Sequence, residues 1–168
     1  MNNAALRVVC GESDKHQIPP APQSQTGNER SAWLLHLEDG QSLAIARQQV
    51  IEYLAKVESR WVPDCHPQCS RILLWRDQVL PLLGVEKGRR GRHEHVLVIG
   101  YVDAENSTLT HRIALSLCQP PIDISVRDLD QCTPADSQTD YWRGAITACF
   151  AHQDAAVPIV DFNRLKGE

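Results

Sequence analysis

From residue 31 onward the sequence is divided into short apolar runs, and that division limits the chain to folds built from many short strands. Runs at 33–37, 43–45, 72–75, 79–83, 96–102, 112–117, 145–150 and 157–162 are separated by turn-forming clusters. Their shortness and their frequent Val and Ile fit β-strands, since β-branched side chains pack well on a pleated surface and helices need longer periodic stretches. The breakers agree. Glu38-Asp39-Gly40-Gln41 predicts a hairpin turn, residues 103–108 a second and His152-Gln153-Asp154 a third, while residues 88–92 predict an exposed basic loop. Closely spaced short strands imply a barrel or a sandwich.

One segment points elsewhere. Leu43, Ala46, Val50, Tyr53 or Leu54, and Val57 recur at three- and four-residue intervals, the spacing of an amphipathic helix over residues 41–57. The competing reading is a strand at 43–45, a single turn at 47–49 and a second strand from Val50 onward.

The 168 residues suffice for one domain or two small fused lobes, burying about 70% of the unfolded surface. With 42% apolar and 23% charged residues the chain is too apolar for disorder throughout. Residues 11–30 differ: they are rich in Ser, Gln, Pro and charge, so residues 1–30 are expected to form a flexible tail ahead of a domain over 31–168. A net charge of −4 gives no general attraction to phosphate backbones or anionic lipid, which argues against a nucleic-acid partner. No apolar stretch approaches the roughly 18 residues of a membrane span, and the N-terminus lacks a signal-peptide pattern. The expectation is a cytoplasmic protein without membrane insertion.

Few residues suggest chemistry. The six cysteines are scattered, as in a reducing compartment, and are expected to be thiols. Cys65-His66-Pro67-Gln68-Cys69 places three soft ligands together, but a zinc site needs a fourth and no second closely spaced pair exists, so no metal is expected. His93 and His95, beside Arg89, Arg90 and Arg92, read as solvated residues of the basic loop. Trp61, Trp75 and Trp142 are expected to fill core in a chain with only 5% aromatics. No phosphate-binding glycine loop or nucleophile elbow is present, and neither enzymatic activity nor a cofactor is expected.

Residues 50–83 read VIEYLAKVESRWVPDCHPQCSRILLWRDQVLPLL, with Val50, Glu52, Pro63, Arg76 and Pro81 as punctuation. This stretch resembles the first lobe of the CheW family, coupling proteins of bacterial chemosensory systems, in which a Val-x-Glu step is followed by a proline, an Arg-Gly and a proline opening the next strand. Residues 111–117 with 122–129, the step Tyr141-Trp142-Arg143-Gly144-Ala145 and the closing run 157–162 are similar to the family's second half. The resemblance spans roughly residues 31–165. It implies an all-β fold of two five-stranded, SH3-like barrel lobes, with a boundary near 88–95 and the last strand returning to the first lobe. The segment at 41–57 then becomes strand, turn, strand.

It also implies a function: an adaptor between the cytoplasmic tip of a chemoreceptor and a sensor histidine kinase, with partner-binding residues Val50, Glu52, Arg76, Asp77 and Val79. Arg76 would offer a planar, permanently charged fork to a carboxylate or carbonyl. Two positions depart from the pattern: Asp77 and Arg71 stand where the family has glycine. Asp tolerates left-handed backbone, so Asp77 is expected to keep its turn; Arg71 implies an altered loop or contact. Two other readings stand beside this one, a CheW-like adaptor for a partner other than a receptor and a small metal or redox protein using Cys65 and Cys69.

Overall fold

The computed structural model describes residues 29–63, 69–89, 91–102, 110–133, 142 and 144–164. The expected tail up to residue 28, the turn at 103–108, Cys65 to Gln68, and Tyr141 and Arg143 lie outside them. The described chain is β-strand joined by turns. Its strands are β1 (Glu29–His36), β2 (Ser42–Ala46), β3 (Val50–Glu58), β4 (Arg60–Trp61), β5 (Arg71–Trp75), β6 (Gln78–Leu83), β7 (Arg92–Val102), β8 (Thr110–Leu117), β9 (Ile122–Arg127), β10 (Ile146–His152) and β11 (Ala155–Val160).

These strands make two sheets, ordered β10-β11-β2-β1-β9 and β3-β7-β8-β6-β5-β4. Neighbours are antiparallel except β11 against β2 and β6 against β8. The expected all-β architecture of two barrel-like lobes is present, with the two-residue β4 making the second sheet six-stranded. The chain passes from the first sheet into the second after β2 and returns after β8. Strand β7 begins at Arg92, within the range 88–95 where the lobe boundary was expected, and pairs with β3 and β8 inside the second sheet.

Both sheets are strongly curled. Laid flat, β3 and β5 would be four strand spacings, about 19 Å, apart. Instead Trp75 Nε1 on β5 donates to Glu52 Oε2 on β3 at 2.8 Å. In the first sheet the edges also meet, through an antiparallel bridge between Gln131 and Phe150.

The segment at 41–57 is strand, 3-10 turn (Arg47–Gln49), strand. Its helix-like spacing has a local cause. Val50, Glu52 and Leu54 alternate inward with outward Ile51, Tyr53 and Ala55, until Lys56 takes a left-handed conformation (φ 57°) and turns Val57 inward one residue out of phase. A period-2 strand with a phase slip reproduces part of a helical pattern.

Packing explains the two-faced apolar runs. Leu97 and Ile99 of β7, Ile113, Leu115 and Leu117 of β8, Leu35 and Leu37 near β1, and Leu43 and Ile45 of β2 form one core between the sheets with Trp142 and Phe162. The alternate positions Val96, Val98 and Ala114 join Leu73, Trp75, Leu80 and Leu82 inside the second curl. Leu34 and Ala44 join Phe150 and Val157 inside the first. Strands buried on both faces lose the polar alternation of a one-sided sheet.

The expected turns at 38–41 and 152–154 both form. Gly40, at φ +88°, donates to Leu37 O at 3.1 Å, and Gln153 and Asp154 (φ 47° and 65°) link β10 to β11. Two sequence expectations are corrected. His93 belongs to β7 and is fully buried, because the strand begins at Arg92 and the imidazole finds partners inside. Trp61 is 64% exposed, because β4 lies on the edge of its sheet and the core it was expected to fill is closed by Trp75.

Candidate partner-binding surface

The β5–β6 hairpin carries most of the residues expected to meet a partner. Trp75 and Gln78 are the last paired residues, leaving Arg76 and Asp77 as a two-residue turn. Both have positive φ, 46° and 63°, the geometry of a type I′ turn, whose twist suits a tight hairpin. Asp77 thus supplies the backbone shape for which glycine is the usual choice.

The turn is braced from β3. Arg76 Nη2 lies 2.9 Å from Glu52 Oε2, the same oxygen that accepts the Trp75 indole N–H. The Arg76 guanidinium also sits 4.9 Å from the centroid of the Trp75 ring, and Arg112 approaches that ring at 5.9 Å. Arg76 remains 68% exposed. An ion pair this open contributes at most about 1 kcal/mol. Its effect is orientation: a pre-placed planar donor whose position costs a partner little further ordering.

The opposite face of the hairpin is apolar and open. Leu74 and Val79 are cross-strand partners, 70% and 63% exposed. They border a groove of about 480 Å³ lined also by Val57, Ser59, Ile72 and Leu73. Val50 stands apart from this surface. It pairs with Ile99 at the start of β3 and packs, partly buried, against the core between the sheets. Of the five residues expected to meet a partner, Glu52, Arg76 and Asp77 are gathered at the hairpin tip and Val79 lies on its exposed face.

Below the groove lies a buried polar network. His93 Nε2 is 2.7 Å from Ser59 Oγ, and His93 Nδ1 is 2.8 Å from Ser116 Oγ and 3.1 Å from Glu38 Oε2. Arg71 Nη1 donates to Ser59 Oγ at 3.0 Å, and Nη2 donates to the Arg89 carbonyl. A consistent proton arrangement runs from Arg71 to Ser59, from the Ser59 hydroxyl to Nε2, and from Nδ1–H to Glu38. Burial, with the nearby Arg71 and Arg89 charges, holds the His93 pKa below 6.5 against the opposing pull of Glu38. The Ser–His–Glu order matches that of an activated serine. Ser59, however, is buried and its Oγ is held by Arg71, so the network joins strand ends rather than presenting a nucleophile.

Arg71 thereby acquires a reason. Its backbone is not left-handed, so nothing in its conformation demands glycine, and its side chain ties β5 to Ser59 and to the strand entering β7. The sequence reading missed Leu74, because Ile72-Leu73-Leu74-Trp75 contains no polar residue to mark the outward face. Cys69 is partly buried, and among the described residues no group of three His, Cys, Asp or Glu side chains is gathered as a metal site.

No protein-family model matches the sequence, and no curated protein matches it. Among solved structures, the chain is similar to the scaffolding protein TtCheW from Thermoanaerobacter tengcongensis. That match has a TM-score of 0.54 and 12% identity over 80% of this chain and 90% of the other. At that identity the likeness is one of architecture, and it covers both curled sheets: the chain has a CheW-like fold.

Proposed function

We propose that the protein is a non-catalytic adaptor that couples chemoreceptors to a sensor histidine kinase, as the resemblance of its sequence implied. The observation that carries this reading is the braced hairpin on a CheW-like fold: Arg76 is held by Glu52 over Trp75 at an exposed tip, with Leu74 and Val79 open on the adjoining face. A charged fork beside an apolar patch suits the end of a helical partner, whose carbonyls and carboxylates would meet Arg76 while its apolar side chains cover Leu74 and Val79. An adaptor binding both partners raises their effective concentration and favours one kinase conformation, without any catalytic group.

The test is reconstitution with a receptor fragment and its kinase. Arg76→Ala should weaken receptor-dependent kinase control by about tenfold or more, the cost of one charged contact, while leaving the fold intact by circular dichroism. Full receptor coupling in that variant would remove Arg76 from the contact. Absence of any complex between the wild-type protein and the kinase would remove the adaptor reading.

A further inference from the structure

The seam of the first curled sheet carries two thiols face to face. After β9 the chain makes a 3-10 turn (Asp128–Asp130) and meets the edge strand β10, where Gln131 and Phe150 form an antiparallel bridge. One step further, Cys132 N donates to Cys149 O at 2.9 Å, which makes Cys132 and Cys149 directly opposed. Opposed residues at such a position have Cα atoms about 5.5 Å apart, inside the 4.4–6.8 Å span of disulfides. Directly opposed residues of an antiparallel pair put their side chains on the same side, so the two thiols are neighbours. Cys149 is buried and Cys132 partly exposed.

We infer that Cys132 and Cys149 form an oxidisable dithiol, whose substrate is a small two-electron oxidant of the peroxide class and whose product is a disulfide closing the seam. The two sulfurs have different roles. Burial, then the hydrogen bond that its own S–H gives to Cys132, push the Cys149 thiol up to about 11, so it is the weaker first nucleophile, whereas Cys132 meets solvent. Cys132, having lost its proton to water, attacks one oxygen of hydrogen peroxide. The O–O bond breaks, and the departing hydroxide leaves as water after taking a proton. The Cys132 sulfenic acid is then attacked by the Cys149 sulfur; the S–O bond breaks and the hydroxyl departs with the Cys149 proton as a second water. Two thiols and one peroxide give one disulfide and two waters, each sulfur losing one electron.

Placement gives the bond a consequence. Among the described residues the seam is held by a single isolated bridge, of which the Cys132 N–H to Cys149 O bond is part, far less than the ladders between β1 and β2 or between β10 and β11. The ring closed by the disulfide contains Trp142 and Ala145, both buried in the core between the sheets. Oxidation would fasten that core's border as well as the seam.

The full chain treated with hydrogen peroxide, alkylated and digested with trypsin tests this, because Arg127, Arg143 and Arg164 separate the two cysteines into single-cysteine peptides, 128–143 and 144–164. The expected product is those two peptides joined, two alkylations fewer than the six of the reduced chain, full reversal by dithiothreitol, and a higher thermal midpoint when oxidised. Cys132→Ser, at a partly exposed position, should take up five alkyl groups with or without peroxide. A different disulfide with both peptides alkylated, or overoxidation of Cys132 beside an alkylated Cys149, would overturn the inference. Because the wild-type peptide map decides, a folding defect in any variant leaves the test intact.

Discussion

His93 shows what a single buried side chain contributes here. Its imidazole bridges Ser59 on one nitrogen and Ser116 with Glu38 on the other, joining the end of β3, β8 and the β1–β2 turn. Burial keeps it neutral in the fold more strongly than in the unfolded chain, where it titrates near 6.5. As pH falls through 6.5 the unfolded state takes up a proton that the folded state refuses. Stability is therefore full above that value and declines below it until folded His93 is itself protonated, at a slope of at most about 1.4 kcal/mol per pH unit. Urea midpoints at pH 7.5 and 5.5 should show this fall in the wild-type protein and a smaller one in His93→Gln. That variant should also lose about 1–3 kcal/mol at pH 7.5 from partners left unsatisfied. Equal pH dependence in the two proteins would remove His93 as the responsible group.

At the scale of elements, the β5–β6 hairpin depends on two consecutive left-handed residues with side chains. Asp accepts that conformation at modest cost, glycine at none and a β-branched residue poorly. Asp77→Gly should hold the wild-type urea midpoint, and Asp77→Val should lose about 1–2 kcal/mol; an unchanged Asp77→Val would mean that the turn is not as described. This turn was readable in the sequence, since Asp at the glycine position carries its own conformational argument. The alternation of runs and breakers marks the strands, and 41–57 is strand, turn, strand despite a helical spacing whose last step, to Val57, comes from the phase slip at Lys56. What sequence could not yield was the direction in which uniformly apolar runs point, as at Leu74, or pairings made only by curling. Glu52 and Arg76 are 24 positions apart, and their contact exists because the second sheet bends β5 back onto β3. His93 was misread for a related reason: histidine among arginines looks solvated until three separate elements supply its partners.

The whole molecule is organised around a core that belongs to neither sheet alone. Strands β1, β2, β7 and β8 each give alternate residues to the core between the sheets and the rest to the curl they help form. The chain also crosses between the sheets twice, so the first curl is assembled from two segments, β1–β2 and β9–β11, that flank the second curl in sequence. A core shared by both curls, one of them built from two separated segments, predicts one cooperative unfolding transition, as small single domains usually show. The indole N–H signals of Trp142 in the shared core and Trp75 in the second curl report on different regions by NMR, and far-UV circular dichroism reports on both sheets. The three signals should be lost together in urea. Leu97→Ala, which opens the shared core, should lower stability by about 2–5 kcal/mol and shift all three signals equally. Leu73→Ala, inside the second curl alone, should do the same despite its distance from the first sheet, because the curl and the shared core are two faces of the same strands. If Leu73→Ala instead split the transition, with far-UV signal retained after the Trp75 environment was lost, the two curls would be separate folding units. The adaptor role proposed above requires the opposite, since a hinge between the halves would dissipate the orientation through which two bound partners would be coupled.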